Sequence, residues 1–551
     1  MTGSSKTASA SENLTDAEAV RQFENLTSEA PAAKTQNKFE RIKAEKDGLV
    51  LKHELELLAK NGWEAIEDAD RDFRLRVLGL FYREVTPGRF MLRLRTANGI
   101  LPSHHLRVLA EIVQHYGDDG NADITTRQNI QLRGIRIEDA PDIFRKFEAA
   151  GMTSVQTGVD NVRNVTGSPV AGLEADELID TRGLCRAVQD MITNMGAGNS
   201  AFTNLPRKFN IAIAGCRDNS VHAETNDLAF IPAFKHDQIG FNVIVGGMFS
   251  PKRYQDAVPL NAWVSPDDVV DVCKAVLLVY RNHGLRANRQ KSRLMYLIDA
   301  WGIETFRSKL EEQLGRSLDP AAEHDEMTLD KRDHLGVHQQ KQPGLNYVGL
   351  HIPIGRLYAH EMFELARMAD VYGSGEIRLT VEQNLILPNV PSSRLEALLK
   401  EPLLQERFLV DPDPMSRWLV SCTGSQFCGF ALIETKNRAL ALIKALEAEL
   451  TVPRPVRIHW TGCPNSCGQP QVADIGLMGT KTRRNGQTLE AVDIWMGGKV
   501  GHEACLGSRV RSAIPCDELL PVLRSLLIEQ FGAQPRQEGY FVPSELLGDE
   551  A

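Results

Sequence analysis

The chain repeats part of its own sequence at a distance of 255 residues, and this repeat limits the folds it can adopt. The matched residues are Thr125, Gln128 and Asn129 in the first copy and Thr380, Gln383 and Asn384 in the second. A period this long is far beyond that of any solenoid repeat. It indicates an internal gene duplication that produces two halves related by approximate two-fold symmetry.

Both copies carry the same order of strand and helix patterns. Alternating apolar residues predict strands over 90–95 and 347–354. Between strand and repeated motif, each copy has apolar residues at helical spacing: Leu106, Leu109, Ile112 and Val113 in the first, and Met362, Leu365 and Met368 in the second. Ser103 is placed to cap the first helix, and Gly117 and Gly373 are placed to end the two helices. The halves are therefore predicted to contain βαβ units, in an α+β protein.

Composition indicates a multidomain protein without a membrane segment or a disulfide framework. The chain has 551 residues, 42% of them hydrophobic, and no apolar run of about 18 residues. Its first residues include Glu12, Asp16 and Glu18, which argues against a transit or secretory signal. A net charge of −9 argues against nucleic acid as a partner. We therefore expect a cytoplasmic protein, with disorder from Met1 to about Asn37.

Two cysteine pairs suggest a metal centre. Cys422 and Cys428 lie in SCTGSQFCGF, and Cys463 and Cys467 lie in TGCPNSCGQP. Four thiolates suit a cubane iron–sulfur cluster. Structural zinc is the alternative, although the five residues between the first two cysteines exceed the usual zinc spacing, and four buried structural thiols are a third reading. The remaining cysteines are isolated and suit core packing: Cys185, Cys216, Cys273, Cys505 and Cys516.

The motifs CTGSQFCG and HWTGCPNSCGQ closely resemble those of the sulfite and nitrite reductase family, and among its members those of the ferredoxin-dependent nitrite reductases. The resemblance extends from about Phe81 to Gly532. It implies a [4Fe–4S] cluster held by all four cysteines and coupled to a sirohaem, with the Cys467 thiolate also axial to the sirohaem iron. It also implies an internally duplicated nitrite/sulfite reductase fold, with two ferredoxin-like halves and two α/β domains that bind the cluster and the sirohaem.

We therefore predict a division into six segments. They are an amino-terminal extension (1–75), a first ferredoxin-like half (76–158), a sirohaem and substrate domain (159–335), a second ferredoxin-like half (336–405), a [4Fe–4S] and sirohaem domain (406–535) and a carboxyl-terminal tail (536–551). The polar stretch 319–342 is predicted to link the two copies.

Clustered basic residues suggest an anion site. Sirohaem is a polycarboxylate and its substrate is an oxyanion, so a protein that binds both must gather cations in one cavity. Each such residue could equally lie on a solvated face. By the family resemblance, Arg93, Arg163 and Lys208 line the distal face of the sirohaem as anion-binding and proton-supplying groups, and Asn465 lies near the sirohaem. Weaker candidates for the macrocycle carboxylates are Arg127, Gln128, Arg207, Arg289 and Lys291.

Two positions bear on how the site is used. Family sulfite reductases have a second lysine where this chain has Asn210. Removing that charge favours the monoanion nitrite over sulfite, which is largely a dianion near neutral pH. Glu382 occupies the position of Arg127 in the second copy and would repel a cofactor carboxylate. One active site per chain is therefore predicted.

The resemblance implies the assimilatory six-electron reduction of nitrite to ammonium, with reduced ferredoxin as the donor. The sequence shows no flavin or nicotinamide module, so electrons must arrive from another protein. Lys208 is the predicted proton relay, with its pKa depressed by Arg93 and Arg163. The alternatives are an assimilatory sulfite reductase and, from another class, a non-catalytic iron–sulfur carrier. An internally duplicated chain has less need of a partner copy, so a monomer is predicted.

Overall fold

The computed structural model describes residues 37–117 and 120–536 and has an α+β architecture. Its α-helices are α1 (Lys38–Glu45), α2 (Leu51–Asn61), α3 (Asp68–Asp72), α4 (Ser103–Tyr116), α5 (Ala140–Ala150), α6 (Arg182–Thr193), α7 (Val269–His283), α8 (Leu294–Trp301), α9 (Ile303–Leu314), α10 (Ala359–Tyr372), α11 (Leu395–Leu399), α12 (Pro402–Glu406), α13 (Lys436–Glu449) and α14 (Leu519–Phe531).

The strands from the first copy are β1 (Leu80–Tyr82), β2 (Phe90–Arg93), β3 (Ile100–Pro102), β4 (Asn121–Ile124), β5 (Ile130–Ile135), β6 (Val162–Gly167), β7 (Phe209–Ile213), β8 (Leu228–Lys235), β9 (Gln238–Val245), β10 (Met248–Ser250), β11 (Arg253–Gln255), β12 (Val258–Val264) and β13 (Asp319–Pro320). Those from the second copy are β14 (Gly336–Gln339), β15 (Leu345–Leu350), β16 (Arg356–Tyr358), β17 (Glu376–Leu379), β18 (Leu385–Pro391), β19 (Leu419–Ser421), β20 (Leu450–Thr451), β21 (Ile458–Thr461), β22 (Ile475–Arg484), β23 (Gln487–Met496), β24 (Ser508–Pro515) and β25 (Gln534–Pro535).

The amino-terminal segment is helical where it is described. The side chain of Asn37 caps α1 by accepting a hydrogen bond from the Phe39 backbone N–H at 2.9 Å. Lys43 on α1 then reaches the Leu205 carbonyl at 2.9 Å, which fixes the helix against the first copy. Apart from Asn37, the predicted disorder of the first residues falls outside the described part of the chain.

The two halves exchange one strand. One antiparallel sheet has the order β1-β2-β5-β4-β16, and the other has the order β14-β15-β18-β17-β3. Thus β16 from the second copy pairs with β4, and β3 from the first copy pairs with β17. The predicted duplication is confirmed, but the strand before each helix belongs to the sheet of the opposite half. The halves are therefore joined by backbone hydrogen bonds.

Helices α4 and α10 pack together with the apolar faces predicted from their spacing. Leu106, Leu109, Ile112 and Val113 are all fully buried. The prediction that Ser103 caps α4 is wrong, since Ser103 is the first helical residue and no side chain caps the helix. Its hydroxyl instead donates to Asp370 Oδ1 on α10 at 2.5 Å, a contact between the two halves.

Each copy also contributes a second sheet, and these two sheets are built alike. In the order β13-β12-β9-β8-β7-β6, strands β6, β7 and β8 are parallel and the others antiparallel. In the order β19-β21-β22-β23-β24, strands β19, β21 and β22 are parallel in the same way. The parallel strands direct their carboxyl ends to one edge, where α/β proteins place binding loops.

The stretch 319–342 is more ordered than a loop linker. Strand β13 pairs with β12, and β14 is the edge strand of the second half. Between them, the buried side chain of Lys331 forms an ion pair with Glu382 at 2.9 Å. The predicted linker is therefore part of the folded body.

Among the described residues, no helix is both long enough and apolar enough to cross a membrane.

Candidate functional site

The two cysteine pairs follow adjacent parallel strands. Cys422 comes directly after β19, and Cys463 comes two residues after the end of β21. Because β19 and β21 pair in parallel, both cysteine loops leave the same edge of the sheet. The Gly462 backbone N–H donates to Cys422 Sγ at 3.1 Å, which ties one loop to the other.

The four thiols lie close to one another. Burial and the nearby Cys467 raise the pKa of Cys463 to about 12. Burial also raises the pKa of Cys422, with Cys467 and Cys428 contributing. In the described part of the chain, no three ligand side chains converge on a single ion site. A cubane does not need such convergence because each of its irons takes one thiolate. The donor set thus fits an iron–sulfur cluster.

A pocket opens beside the turn formed by residues 463–469, which we call the cysteine turn. Thr126 Oγ1 donates to the Cys467 carbonyl at 3.0 Å and holds the turn against the first half. The pocket is lined by guanidinium, ammonium, amide and hydroxyl side chains, which can donate hydrogen bonds to an anion. Its polar lining includes Thr126, Arg127, Lys208, Asn210, Thr225, Asn226, Arg293, Asn465, Ser466 and Gln469.

Four positively charged side chains lie at or next to this pocket. They are Arg93, Arg127, Arg163 and Lys208, which we call the cation group. Among the described residues, no carboxylate oxygen comes within 4.0 Å of any of them. An unpaired charge in a buried setting is costly and is normally compensated by a counter-charge. The cation group is therefore arranged to receive an anion from outside the chain.

The neighbours of Lys208 differ from those predicted. Burial lowers its pKa well below the ordinary value, and the guanidinium groups of Arg293 and Arg127 lower it further. Arg93 and Arg163, predicted as its depressing neighbours, are not the main charges acting on it; beyond burial, Arg127 lowers the pKa of both, and Arg93 also lowers that of Arg163. Lys208 thus has the lowered pKa predicted for it, but from different charges.

Arg93 and Arg163 are positioned by backbone carbonyls. Arg93 Nη1 donates to the Thr157 carbonyl at 3.2 Å, and its guanidinium lies 4.5 Å from the centre of the Phe81 ring. Arg163 Nη1 donates to the Asn161 carbonyl at 3.3 Å. Burial, together with Arg127 and Arg83, lowers the pKa of Arg93 to about 9, so it remains charged at neutral pH. These contacts orient the charges without neutralising them.

Gln128 is placed to support the site rather than to contact a cofactor. It is fully buried, with a φ of 52°. Its Nε2 donates to the Gly167 carbonyl at 2.8 Å, and its Oε1 accepts from the Gly167 N–H at 3.0 Å. With the amide so engaged, Gln128 fixes the turn that presents Arg127. Its predicted contact with a macrocycle carboxylate stays a prediction without geometric support.

The other predicted carboxylate contacts lie around Asp160. Arg289 makes two hydrogen bonds to Asp160, both at 2.8 Å, and Arg207 lies 4.0 Å from it. Arg289 is thus already paired with a protein carboxylate, whereas Arg207 is only loosely paired. Lys291 is exposed and does not line the pocket. The predicted site residues that line the pocket are thus Arg127, Lys208, Asn210 and Asn465. Arg93 and Arg163 lie near Arg127 without lining it, and Arg289 and Lys291 do not line it.

Asn210 lies in the pocket wall, as the prediction about substrate choice requires. It is 6% exposed, and its Oδ1 has no hydrogen-bond partner. Its backbone N–H donates to Asp227 Oδ2 at 2.8 Å, and Asp227 also accepts from Arg293 Nη2 at 2.7 Å. Arg293 was one of several basic residues in RANRQKSR, and the sequence carried no sign that this one reaches the pocket.

Comparison with protein-family models identifies the fold and the site together. A family described as "Nitrite and sulphite reductase 4Fe-4S domain" matches residues 158–318 and 414–537. A second, described as "Nitrite/Sulfite reductase ferredoxin-like half domain", matches residues 82–150 and 338–404. The chain belongs to the nitrite and sulphite reductase family. The predicted duplicated fold and the predicted [4Fe–4S] centre are confirmed.

Similar proteins cover nearly the whole chain. A ferredoxin–nitrite reductase of Leptolyngbya laminosa is 66% identical over 93% of this chain and all of its own length. One of Synechococcus elongatus is 60% identical over 91% of this chain and 98% of its own length. The solved structure of the Mycobacterium tuberculosis NirA protein superimposes with a TM-score of 0.83 at 31% identity, covering 92% of this chain and 95% of that one.

Proposed function

We propose that the chain catalyses the six-electron reduction of nitrite to ammonium, with a sirohaem and a [4Fe–4S] cluster as cofactors and reduced ferredoxin as electron donor. Relatives of 66% and 60% identity, each aligned over at least 98% of its own length, bear the name of this activity. The observation that carries the proposal within the structure is the unpaired cation group beside the cysteine turn.

The residues present fit both cofactors. Cys422, Cys428, Cys463 and Cys467 would hold the cluster, and Cys467 would also face the sirohaem iron. When bound, the sirohaem and the cluster would supply the redox chemistry, with electrons delivered one at a time. The protein binds the anion, keeps it oriented and delivers eight protons for each nitrite. The cation group provides the first of these functions because its charges are fixed before the anion arrives.

Lys208 is the residue we assign to proton delivery. Its lowered pKa makes the ammonium a stronger acid than an ordinary lysine, and it lines the pocket itself. Arg93, Arg127 and Arg163 keep their protons near neutral pH and serve as the permanent positive wall. Within the cation group, Lys208 therefore delivers protons, and the three arginines hold the anion.

Asn210 supports nitrite over sulfite as the substrate. With a neutral amide at position 210, the pocket has one positive charge fewer than it would have with a lysine there. A dianion would lose more binding energy from that change than a monoanion. Sulfite reduction is therefore not favoured, and a non-catalytic electron carrier would leave the cation group without a purpose.

The remaining assignments complete the proposal. The six-segment division, a monomeric state, a cytoplasmic location and the absence of nucleic-acid and membrane partners stay as predicted. No disulfide joins the cysteines in the described part of the chain, as suits a reducing compartment, and the chain carries a net charge of −9.

The proposal is tested by the composition and product of the purified holoprotein. We expect about five irons per chain, four in the cluster and one in the sirohaem. With reduced ferredoxin and nitrite, we expect ammonium at one molecule per six electrons consumed. Zinc in place of iron, or iron without ammonium formation, would overturn the proposal.

A further inference from the structure

A buried group of ionisable side chains lies behind the cysteine turn. Lys331 Nζ is 2.9 Å from Glu382 Oε1, and His222 Nε2 is 3.4 Å from the same oxygen. The Lys331 side chain is 0% exposed and that of Glu382 is 1% exposed. We call Lys331, Glu382 and His222 the ion triad. Burying ionised groups away from solvent costs folding free energy, so their presence here calls for a structural or functional explanation.

The duplication makes Glu382 the counterpart of a residue that lines the pocket, Arg127. Glu382 and Arg127 occupy the same position in the two copies of one turn. The turns close alike, since Thr125 N–H donates to the Asn129 carbonyl at 2.9 Å and Thr380 N–H to the Asn384 carbonyl at 3.0 Å. The first copy thus presents a guanidinium to the pocket, and the second presents a carboxylate to Lys331.

The ion triad is connected to the cysteine turn through Gln469. His222 Nδ1 donates to Gln469 Oε1 at 2.9 Å, and Gln469 Nε2 donates to Thr225 Oγ1 at 3.3 Å. The Gln469 carbonyl accepts from His459 Nδ1 at 3.1 Å. Gln469 has a φ of 55°, follows Cys467 by two residues and lines the pocket. Its conformation therefore depends on His222.

The charge on Glu382 is maintained inside the protein. Burial raises its pKa, but Lys331 and His222 more than offset this and hold the pKa below the usual range for a glutamate. The carboxylate therefore lies charged 3.4 Å from His222 Nε2 and favours the ring orientation in which Nδ1 points to Gln469.

We propose that Glu382 is a positioning residue for the cysteine turn, acting through His222 and Gln469. The carboxylate that replaced a cofactor-facing arginine in the second copy now orients the turn that carries Cys467 in the working site. Lys331, from the segment between the copies, holds that carboxylate in place. The proposal rests on the proposed function of this pocket, because it concerns how the pocket is shaped for nitrite.

Two substitutions at His222 separate this role from general stabilisation. Asparagine can place its amide N–H where Nδ1 donates, so His222→Asn keeps the bond to Gln469 and loses the contact with Glu382. Glutamine can reach Glu382 but not Gln469, so His222→Gln does the reverse. His222 has a φ of 49°, which asparagine tolerates better, so melting temperatures are measured for both variants.

The measurements are the visible spectrum of the holoprotein, the KM for nitrite and kcat. We expect His222→Asn to stay within about twofold of wild type in KM, and His222→Gln to raise KM about tenfold and shift the Soret band. Glu382→Gln and Gln469→Met are expected to resemble His222→Gln. Lys341→Met, which removes a lysine that is 42% exposed in the same segment as Lys331 and breaks its ion pair with Glu177, is the matched control.

Each result decides the question. If His222→Gln lowers only the melting temperature, with KM and spectrum unchanged, the triad is a structural ion group and the proposal is overturned. Equal effects of the two His222 variants overturn it as well. If the wild type forms no ammonium, the proposed function fails by itself. The spectral shift would then still report whether Gln469 transmits the change to the cysteine turn.

Discussion

At the scale of single residues, the site depends on charges that the chain leaves unpaired. Most buried cations of this protein have a carboxylate partner, as Arg293 does in Asp227 and Arg289 in Asp160. The cation group has none within the described residues. Fixed positive charges in a partly dry pocket attract an anion more strongly than the same charges would in water. An anionic substrate therefore compensates positive charges that the folded chain leaves unpaired.

Replacing Lys208 with methionine should slow turnover more than it weakens binding. General acid catalysis contributes roughly 10²–10⁴-fold, so we expect a loss of kcat in that range. In the wild type, the ammonium is lost as pH rises through its lowered pKa, so kcat should fall with rising pH well below the ordinary lysine range. This alkaline limb should disappear in Lys208→Met. A variant with normal kcat and an unchanged limb would exclude Lys208 as the proton donor.

Introducing a lysine at Asn210 should shift the choice of substrate. Asn210→Lys adds a positive charge to the pocket wall, so we expect kcat/KM for sulfite relative to nitrite to rise roughly tenfold. Asn210→Met, similar in length but neutral, is the control and should leave the ratio near that of wild type. Steady-state assays with both anions give the ratio. Equal ratios for the two variants would show that pocket charge is not the discriminator.

At the scale of elements, Asp160 joins three parts of the chain. It precedes β6 and pairs with Lys43 from α1 at 3.2 Å and with Arg289 at 2.8 Å. Although burial raises its pKa, Arg289 and Lys43 hold the pKa below the usual range. The folded pKa lies below the unfolded one, so the stability from this carboxylate is present above the unfolded pKa and is lost as pH falls toward the folded pKa.

Asp160→Asn should destabilise the protein strongly. It leaves Arg289 without the carboxylate it binds and leaves Lys43 with Glu40 alone. Breaking a buried pair by removing one partner costs about 3–5 kcal/mol. Chemical denaturation at neutral pH measures the loss, which should shrink as the solution is acidified. Glu396→Gln removes a carboxylate that is 84% exposed and should have little effect. A loss as small as that of the control would contradict the assigned role of Asp160.

Several elements were predictable from the sequence because their signals are local. Apolar spacing predicted α4 and α10, and cysteine spacing predicted the two cysteine loops. The cap at Ser103 failed because a hydroxyl that suits a cap can equally bind a distant carboxylate, here Asp370. The contacts that Gln128 and Arg293 make were not predicted, for a similar reason. Their roles depend on Gly167 and Asp227, which lie far away in the sequence.

At the scale of the whole molecule, the exchange of β3 and β16 makes the duplicated halves interdependent. Periodicity could identify a duplication but not the exchange, since pairing partners hundreds of residues apart leave no local pattern. Asp123 strengthens the connection: its carboxylate is 2.6 Å from Arg133 of the first copy and 3.2 Å from Arg356 of the second. The pocket lies between elements of both copies and needs each of them.

Separated halves should therefore fail to fold independently. A fragment of residues 37–335 would leave the edge of β4 unpaired and β3 without its sheet. We expect it to lack a cooperative melting transition and to aggregate, and we expect co-expression with 336–536 to restore a soluble complex. Circular dichroism and size-exclusion chromatography test this. Cooperative melting of the isolated fragment as a monomer would contradict the interdependence of the halves.

The central claim is that the unpaired cation group beside Cys467 serves nitrite. The most direct test is turnover of the purified holoprotein with reduced ferredoxin, with nitrite and sulfite compared as acceptors under one set of conditions. The predicted result is a large kcat/KM preference for nitrite with ammonium as the product. A preference for sulfite would leave the fold and the cofactors in place but contradict the assignment of the pocket to a monoanion.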